Sequence, residues 1–216
     1  MLLFDHFPKA GGTTIRRYLL KCFAPDDIFN LSPFNPGDTR RDFLQLPPHE
    51  QRRFKCLLAH GGRSLHGKMA IGTELVTTLR EPVDRVVSWY HYARHTEASD
   101  AWSDANEMDL ISFAEGYDLG HSVEHYFGSL STLQKHYSVV GDQSNLIAFA
   151  NAVQHRYGLA LDFTEERANR NPQRRQPTAA ELQKLKQICA DDVRLYECWK
   201  AGAGPDLVAQ ENQRHG

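Results

Sequence analysis

Along this chain, short continuous apolar runs alternate with stretches in which apolar residues recur every third or fourth position. The runs Leu2-Leu3-Phe4, Lys55-Cys56-Leu57-Leu58-Ala59, Leu75-Val76-Thr77-Thr78-Leu79 and Tyr137-Ser138-Val139-Val140-Gly141 have the length and composition of buried strands. Between them, Ile15, Tyr18, Leu19 and Cys22 fall on one helical face. Pro82 can open a helix that runs to about Tyr92. Further helices are expected near Val123 to Lys135 and from about Asn145 to Tyr157, the latter with Leu146, Phe149, Ala150 and Val153 on one face. Thr178 followed by Glu181 fits an N-cap with its glutamate partner, opening a helix toward Trp199. The segment 24–48, rich in Pro, Asp and Asn, predicts a long loop with one helical turn around Arg40 to Leu44. A short proline-initiated helix over Pro47 to Phe54 follows. The acidic segment 96–120 predicts one short helix at Asp109 to Ala114 in otherwise loose chain, a lid or acceptor-facing insertion. Strands alternating with helices imply a three-layer α/β fold with a central, mainly parallel sheet flanked by helices and ligands at the carboxyl ends of the strands.

A chain of 216 residues suits one well-buried domain, here expected over residues 1–200, with 201–216 a flexible tail. With 25 Lys+Arg against 27 Asp+Glu, the net charge of -2 gives no global attraction to nucleic acid or anionic membrane, so any anion site must be local. No apolar run approaches the ~20 residues of a membrane span, and the N-terminus lacks the pattern of a signal peptide. A soluble, cytoplasmic protein is expected. Cys22, Cys56, Cys189 and Cys198 form no C-x-x-C pair and read as reduced, mostly buried thiols.

The segment His6-Phe7-Pro8-Lys9-Ala10-Gly11-Gly12-Thr13-Thr14 joins the first strand to the first helix. Its glycines allow a sharp turn and close backbone approach, the first helix amides lack intrahelical partners, and Lys9 adds positive charge, so the loop suits a phosphate or sulfate. It differs from the nucleotide loop G-x-x-x-x-G-K-[ST], because Thr13 stands at the lysine position and the lysine precedes the glycines. A second strand-to-helix junction reads Arg80-Glu81-Pro82-Val83-Asp84-Arg85-Val86-Val87-Ser88-Trp89-Tyr90. There Arg80 and Ser88 can converge on one anion, or Arg80 can pair with a local carboxylate.

Together the two motifs, about 70 residues apart, resemble the sulfotransferases that use 3′-phosphoadenosine 5′-phosphosulfate (PAPS), and most of all the carbohydrate branch related to heparan sulfate 2-O-sulfotransferases. The resemblance implies a P-loop-like fold. It assigns Lys9, Ala10, Gly11, Gly12, Thr13 and Thr14 to the 5′-phosphosulfate and Arg80 and Ser88 to the 3′-phosphate. It implies PAPS as donor, 3′-phosphoadenosine 5′-phosphate (PAP) as product, no metal, and a hydroxyl-bearing acceptor, expected to be a carbohydrate or glycosylated small molecule. Ala10 departs from relatives that carry threonine there.

Sulfuryl transfer needs in-line placement, charge stabilisation at the leaving oxygen and a base for the acceptor hydroxyl. Lys9 suits the second role. His60, directly after a strand and before Gly61-Gly62, suits the third and matches the strand-end base of related enzymes, with His66 as its rival. In the basic loop 167–177, Arg174 occupies the place of a nucleotide-closing segment. The pairs Arg16-Arg17, Arg40-Arg41 and Arg52-Arg53 are either solvated charge or contacts to an acidic acceptor. His91 with His95 and His121 with His125 have i,i+4 spacing but no evident third ligand, so surface histidines are expected there and not zinc. The competing readings are a P-loop kinase, weakened by the missing post-glycine lysine, and a nucleotide-binding module without turnover.

Overall fold

All four strands expected from the apolar runs are present, and a fifth joins them. In the computed structural model, which describes residues 1–31, 40–69, 72–160, 163 and 175–202, the elements run β1 (Leu2–Asp5), α1 (Gly12–Cys22), β2 (Ile28–Leu31), α2 (Arg40–Gln45), α3 (Pro48–Gln51), β3 (Cys56–Ala59), α4 (Gly62–His66), β4 (Glu74–Leu79), α5 (Pro82–His95), α6 (Trp102–Glu107), α7 (Leu110–Gly116), α8 (Ser122–Phe127), α9 (Leu130–His136), β5 (Tyr137–Asp142), α10 (Leu146–Tyr157), α11 (Ala179–Ile188) and α12 (Ala190–Gly202). The chain divides into two compact units, residues 1–79 with 131–169 and residues 80–130 with 170–216.

The first unit holds the sheet, ordered β2-β3-β1-β4-β5, and every neighbouring pair is parallel. Leu2 is in register with both Cys56 and Glu74, so Asp5, Ala59 and Thr77 lie level and the loops after β1 and β3 leave from the same edge. Leu2, Phe4, Cys56, Leu58 and Val76 form one sheet face, buried with Ile15, Tyr18 and Leu19 of α1 and Leu146, Phe149 and Val153 of α10. That face is the helix-covered side of the parallel sheet that the alternation predicts. β2 corrects the expectation of a loop through 24–48. Its four residues alternate poorly because Asn30 interrupts them, and they are held as an edge strand by pairing with β3, a tertiary contact that local pattern does not carry.

In the second unit α5 is the hub, with Val83, Val86, Val87, Tyr90 and Ala93 packed among Ala105, Leu110, Phe113, Leu185 and Cys189. Segment 96–120 is therefore not loose chain around one short helix. It folds as α6, α7 and a turn at Leu119–His121, because Ala101, Ala105, Leu110, Phe113 and Leu119 are buried against α5 while the acidic residues face water. The helix expected over 123–135 is two helices, interrupted at Gly128 with φ 77°. The helix expected from Thr178 toward Trp199 is also two, divided at Cys189. Its start is as read: Thr178 accepts from the Glu181 amide and Glu181 reaches back to the Thr178 amide. A buried pair of opposite charges lies here. Arg85 is 1% exposed and donates to the Leu119 carbonyl at 3.1 Å. Asp192, fully buried, accepts from the amides of Val123 at 2.8 Å and Glu124 at 3.1 Å, capping α8 from 69 residues away. Burial pushes the Arg85 guanidinium down to about 10 and the Asp192 carboxyl up, each opposed by the charge of the other.

Candidate functional site

The loop after β1 is built from backbone strain and unclaimed amides. Lys9 sits at φ 66°, a left-handed conformation that a lysine adopts only where its surroundings impose it, and Gly11 follows at φ 86°. The Ala10 carbonyl is held by the Thr78 hydroxyl of β4 at 2.7 Å, and the Ala10 amide reaches the Phe7 carbonyl at 3.4 Å. At Gly12 a side chain is excluded, because a Cβ there would fall inside the His6 ring. Helical bonding begins with Thr14 and Ile15, whose amides reach the Gly11 carbonyl at 3.0 and 3.3 Å. Among the described residues, the amides of Gly12 and Thr13 have no backbone acceptor. They lie at the positive end of an 11-residue helix, beside Lys9, which is the arrangement an anion needs.

His60 leaves β3 at the same edge. Its ring lies 4.2 Å from that of His6, centroid to centroid, with the planes 30° apart. Burial is the largest influence on the His60 imidazole and lowers its pKa; Arg16 acts in the same direction, and Asp5 and a hydrogen bond with the His6 backbone act against it. His6 is pushed down to about 3 by burial, then by His60, Arg16 and Lys9. The turn that carries His60 is anchored from two sides. Arg40 of α2 donates to the His60 carbonyl at 2.5 Å and to the Ser64 hydroxyl at 3.0 Å. Asp5, fully buried at the end of β1, accepts from the amides of Gly62 at 2.7 Å and Arg63 at 3.2 Å and from the Tyr137 hydroxyl at 2.6 Å. Gly62 admits no side chain, since a Cβ would run into Leu3 and come within 3.1 Å of Asp5. His66 is placed differently. Its Nδ1 lies 2.6 Å from the Thr73 hydroxyl, just before β4 begins, and so its ring is turned toward the amino edge of that strand.

The residues of the second junction belong to the second unit. Glu81 caps α5 by accepting from the Asp84 amide at 2.7 Å. Arg80 reaches Asp84 at 3.9 Å, so the local carboxylate is present, in a loose pair whose acid is largely exposed. Asp84 and Ser88 are four residues apart in α5 and share a helix face. One turn on, His91 Nε2 lies 3.0 Å from the Arg175 carbonyl, and the Arg175 side chain pairs with Glu181 at 2.6 Å. Arg174 lies outside the described residues. His91 is buried, which corrects the expectation of a surface histidine there, while His95 Nδ1 is 2.7 Å from the His91 carbonyl and His121 Nδ1 is 2.7 Å from Asp118. Among the described residues no group of three or more His, Cys, Asp and Glu side chains could hold a metal ion, and no helix is long and apolar enough to cross a membrane. A cavity of about 480 Å³, lined by Met1, Phe54, Lys55, Gly72 and Tyr157 among others, opens at the amino edge of the sheet, opposite the loop and His60.

Sequence reasoning gave Asp5 and His6 no role and read Arg40 as solvated charge or a contact to an acidic acceptor, whereas its side chain holds the His60 turn. His6 carried a signal, since it opens the glycine motif and lies two residues from Phe4 on the same strand face. For Asp5 no signal existed, because its partners are 57, 58 and 132 residues away.

No protein-family model matches the chain, and no curated relative matches it. Several solved structures are similar in part. One of them is the crystal structure of mouse sulfotransferase SULT7A1 complexed with PAP, 12% identical, with 89% of this chain and 64% of that chain covered and a TM-score of 0.40. The present chain thus spans less than two thirds of the length of that protein.

Proposed function

We propose that this protein is a sulfotransferase that passes a sulfuryl group from PAPS to a hydroxyl acceptor, a carbohydrate or glycosylated small molecule. The observation that carries the reading is the loop after β1, where the amides of Gly12 and Thr13 stand at the start of α1, beside Lys9, without a backbone acceptor among the described residues. The chemistry of the donor fits this set: its phosphosulfate is an anion that backbone amides and one lysine can hold, and Gly12 lets it approach the backbone closely. PAPS supplies the activated sulfuryl group and a phosphate leaving group.

In this reading Lys9, Ala10, Gly11, Gly12, Thr13 and Thr14 bind the phosphosulfate, and Lys9 offsets the charge that develops on the leaving oxygen. Arg80 and Ser88 bind the 3′-phosphate, with Arg80 exchanging its loose pairing to Asp84 for the stronger charge of the phosphate. Arg174 is assigned a further phosphate contact by the resemblance alone. His60 takes the proton of the acceptor hydroxyl. Its lowered pKa keeps the ring unprotonated and able to accept a proton near neutral pH. The placement of His66 against Thr73 favours His60 over it as base.

Thermal unfolding with PAP, with ADP and with ATP and Mg²⁺, in wild type and in Arg80→Ala, tests the donor site. At about 100 times its dissociation constant a ligand adds ~2.7 kcal/mol to stability. Stabilisation by PAP alone, lost in Arg80→Ala, is the expected result. Stabilisation by ATP alone would make the protein a kinase, and no shift with any nucleotide at saturation would end the sulfotransferase reading.

A further inference from the structure

His6 stands in the cluster at the carboxyl edge of β1 and β3, yet the proposed chemistry gives it no task. Its ring is confined. One edge lies against the backbone of Gly12, at the position where a Cβ would collide with it. The His60 ring lies 4.2 Å away at 30°, and Phe4 stacks on His6 at 5.9 Å and 19°. The His6 backbone is engaged as well. Its N–H donates to the Ala59 carbonyl at 2.7 Å, tying the end of β1 to the residue before His60.

We propose that His6 is a positioning residue for His60: its ring, confined by the Gly12 backbone at one edge, is a plate that covers one face of the His60 ring and holds that ring in place to accept a proton. The inference rests on the reading of His60 as the base. The plate does not titrate in the working range, since burial, His60, Arg16 and Lys9 together push His6 down to about 3. The other groups acting on His60 are Asp5 and Arg16, with Arg40 bound to its carbonyl. Neutral His6 covers one face of the His60 ring and so adds to the burial that lowers the His60 pKa.

The test is a histidine ¹H–¹⁵N correlation pH titration of the full chain, with the His60 signal assigned by its loss in His60→Gln. In wild type, His60 titrates below the ordinary histidine value of about 6.5. In His6→Ala water reaches the ring, and His60 titrates higher, toward that ordinary value. His6→Phe restores the plate and returns the titration to its wild-type position. An unchanged His60 titration in folded His6→Ala would overturn the role of the side chain, and if that variant does not fold, a His6→Phe titration displaced to the ordinary value does the same. These readouts need neither donor nor acceptor, so a protein that bound no PAP could still pass or fail them. With an acceptor in hand, the acid limb of kcat moves with the His60 titration in the same variants.

Discussion

Among the described residues each unit buries one aspartate, and the two are used to opposite ends. Asp5 and Asp192 are both fully buried, and both accept two backbone amides at the start of a short helix far away in sequence. Beside Asp192 the opposing charge is Arg85, so the pair is a strut of opposite charges buried together. Beside Asp5 the neighbouring group is His60, whose pKa the aspartate raises against the effect of burial, and the third hydrogen bond comes from the Tyr137 hydroxyl. A carboxylate buried against an arginine fixes a fold. A carboxylate buried near a histidine sets the pH at which that ring holds a movable proton.

The difference can be broken at four places. The largest effect belongs to the movable proton. His60→Ala slows turnover by about 10²–10⁴, while His66→Ala leaves it near wild type, as steady-state rates with a sulfated product readout would show; the reverse pattern moves the base to His66. Because burial holds the His60 pKa below its ordinary value, the rate stays high through neutral pH and falls only as pH drops through that lowered value. Next is the strut. Asp192→Ala leaves Arg85 buried without its carboxylate and costs about 3–5 kcal/mol in denaturant unfolding, whereas Asp192→Leu combined with Arg85→Met recovers most of that loss. Asp5→Asn is smaller, at about 1.5–3 kcal/mol, because the amide oxygen still accepts from a helix amide. It also removes the charge that raises the His60 pKa, so the acid limb of the rate shifts to lower pH, a change that Asp192→Asn does not produce. The smallest is an exposed control. Glu74, 44% exposed, pairs with Arg156 at 2.7 Å, which lowers its pKa. Its folded pKa lies below the unfolded one, so its contribution is present above about 4.5 and is lost as pH falls through the folded value. Glu74→Gln therefore flattens the acid limb of stability by less than about 1 kcal/mol.

What the chain disclosed in advance follows from the range of each interaction. Apolar runs and helical spacing are local, and they yielded four of the sheet strands and the parallel α/β arrangement. The glycine loop, Arg80 and His60 were also legible, because each sits directly after a strand and carries its chemistry in adjacent residues. β2 was not, since its pairing with β3 compensates for a polar Asn30 that breaks the pattern. The two helices in 96–120 were obscured by acidic residues that only solvate the outer face of a segment packed on α5. His6 was quoted in the motif but read as its border. Its importance comes from the ring of His60, 54 positions later, and from the missing Cβ of Gly12.

The bonds of Asp5 also bear on the order in which the molecule assembles. Its carboxylate is satisfied by residues 57 and 132 positions away, so β3 with its turn and the late strand β5 must both be docked before it ceases to be a desolvated charge. Contacts of such separation close late, because the chain must first surrender the entropy of the intervening loops. The bonds that seat the turn carrying His60 are thus expected among the last to form. In hydrogen exchange, the Gly62 and Arg63 amides should then open together with β5.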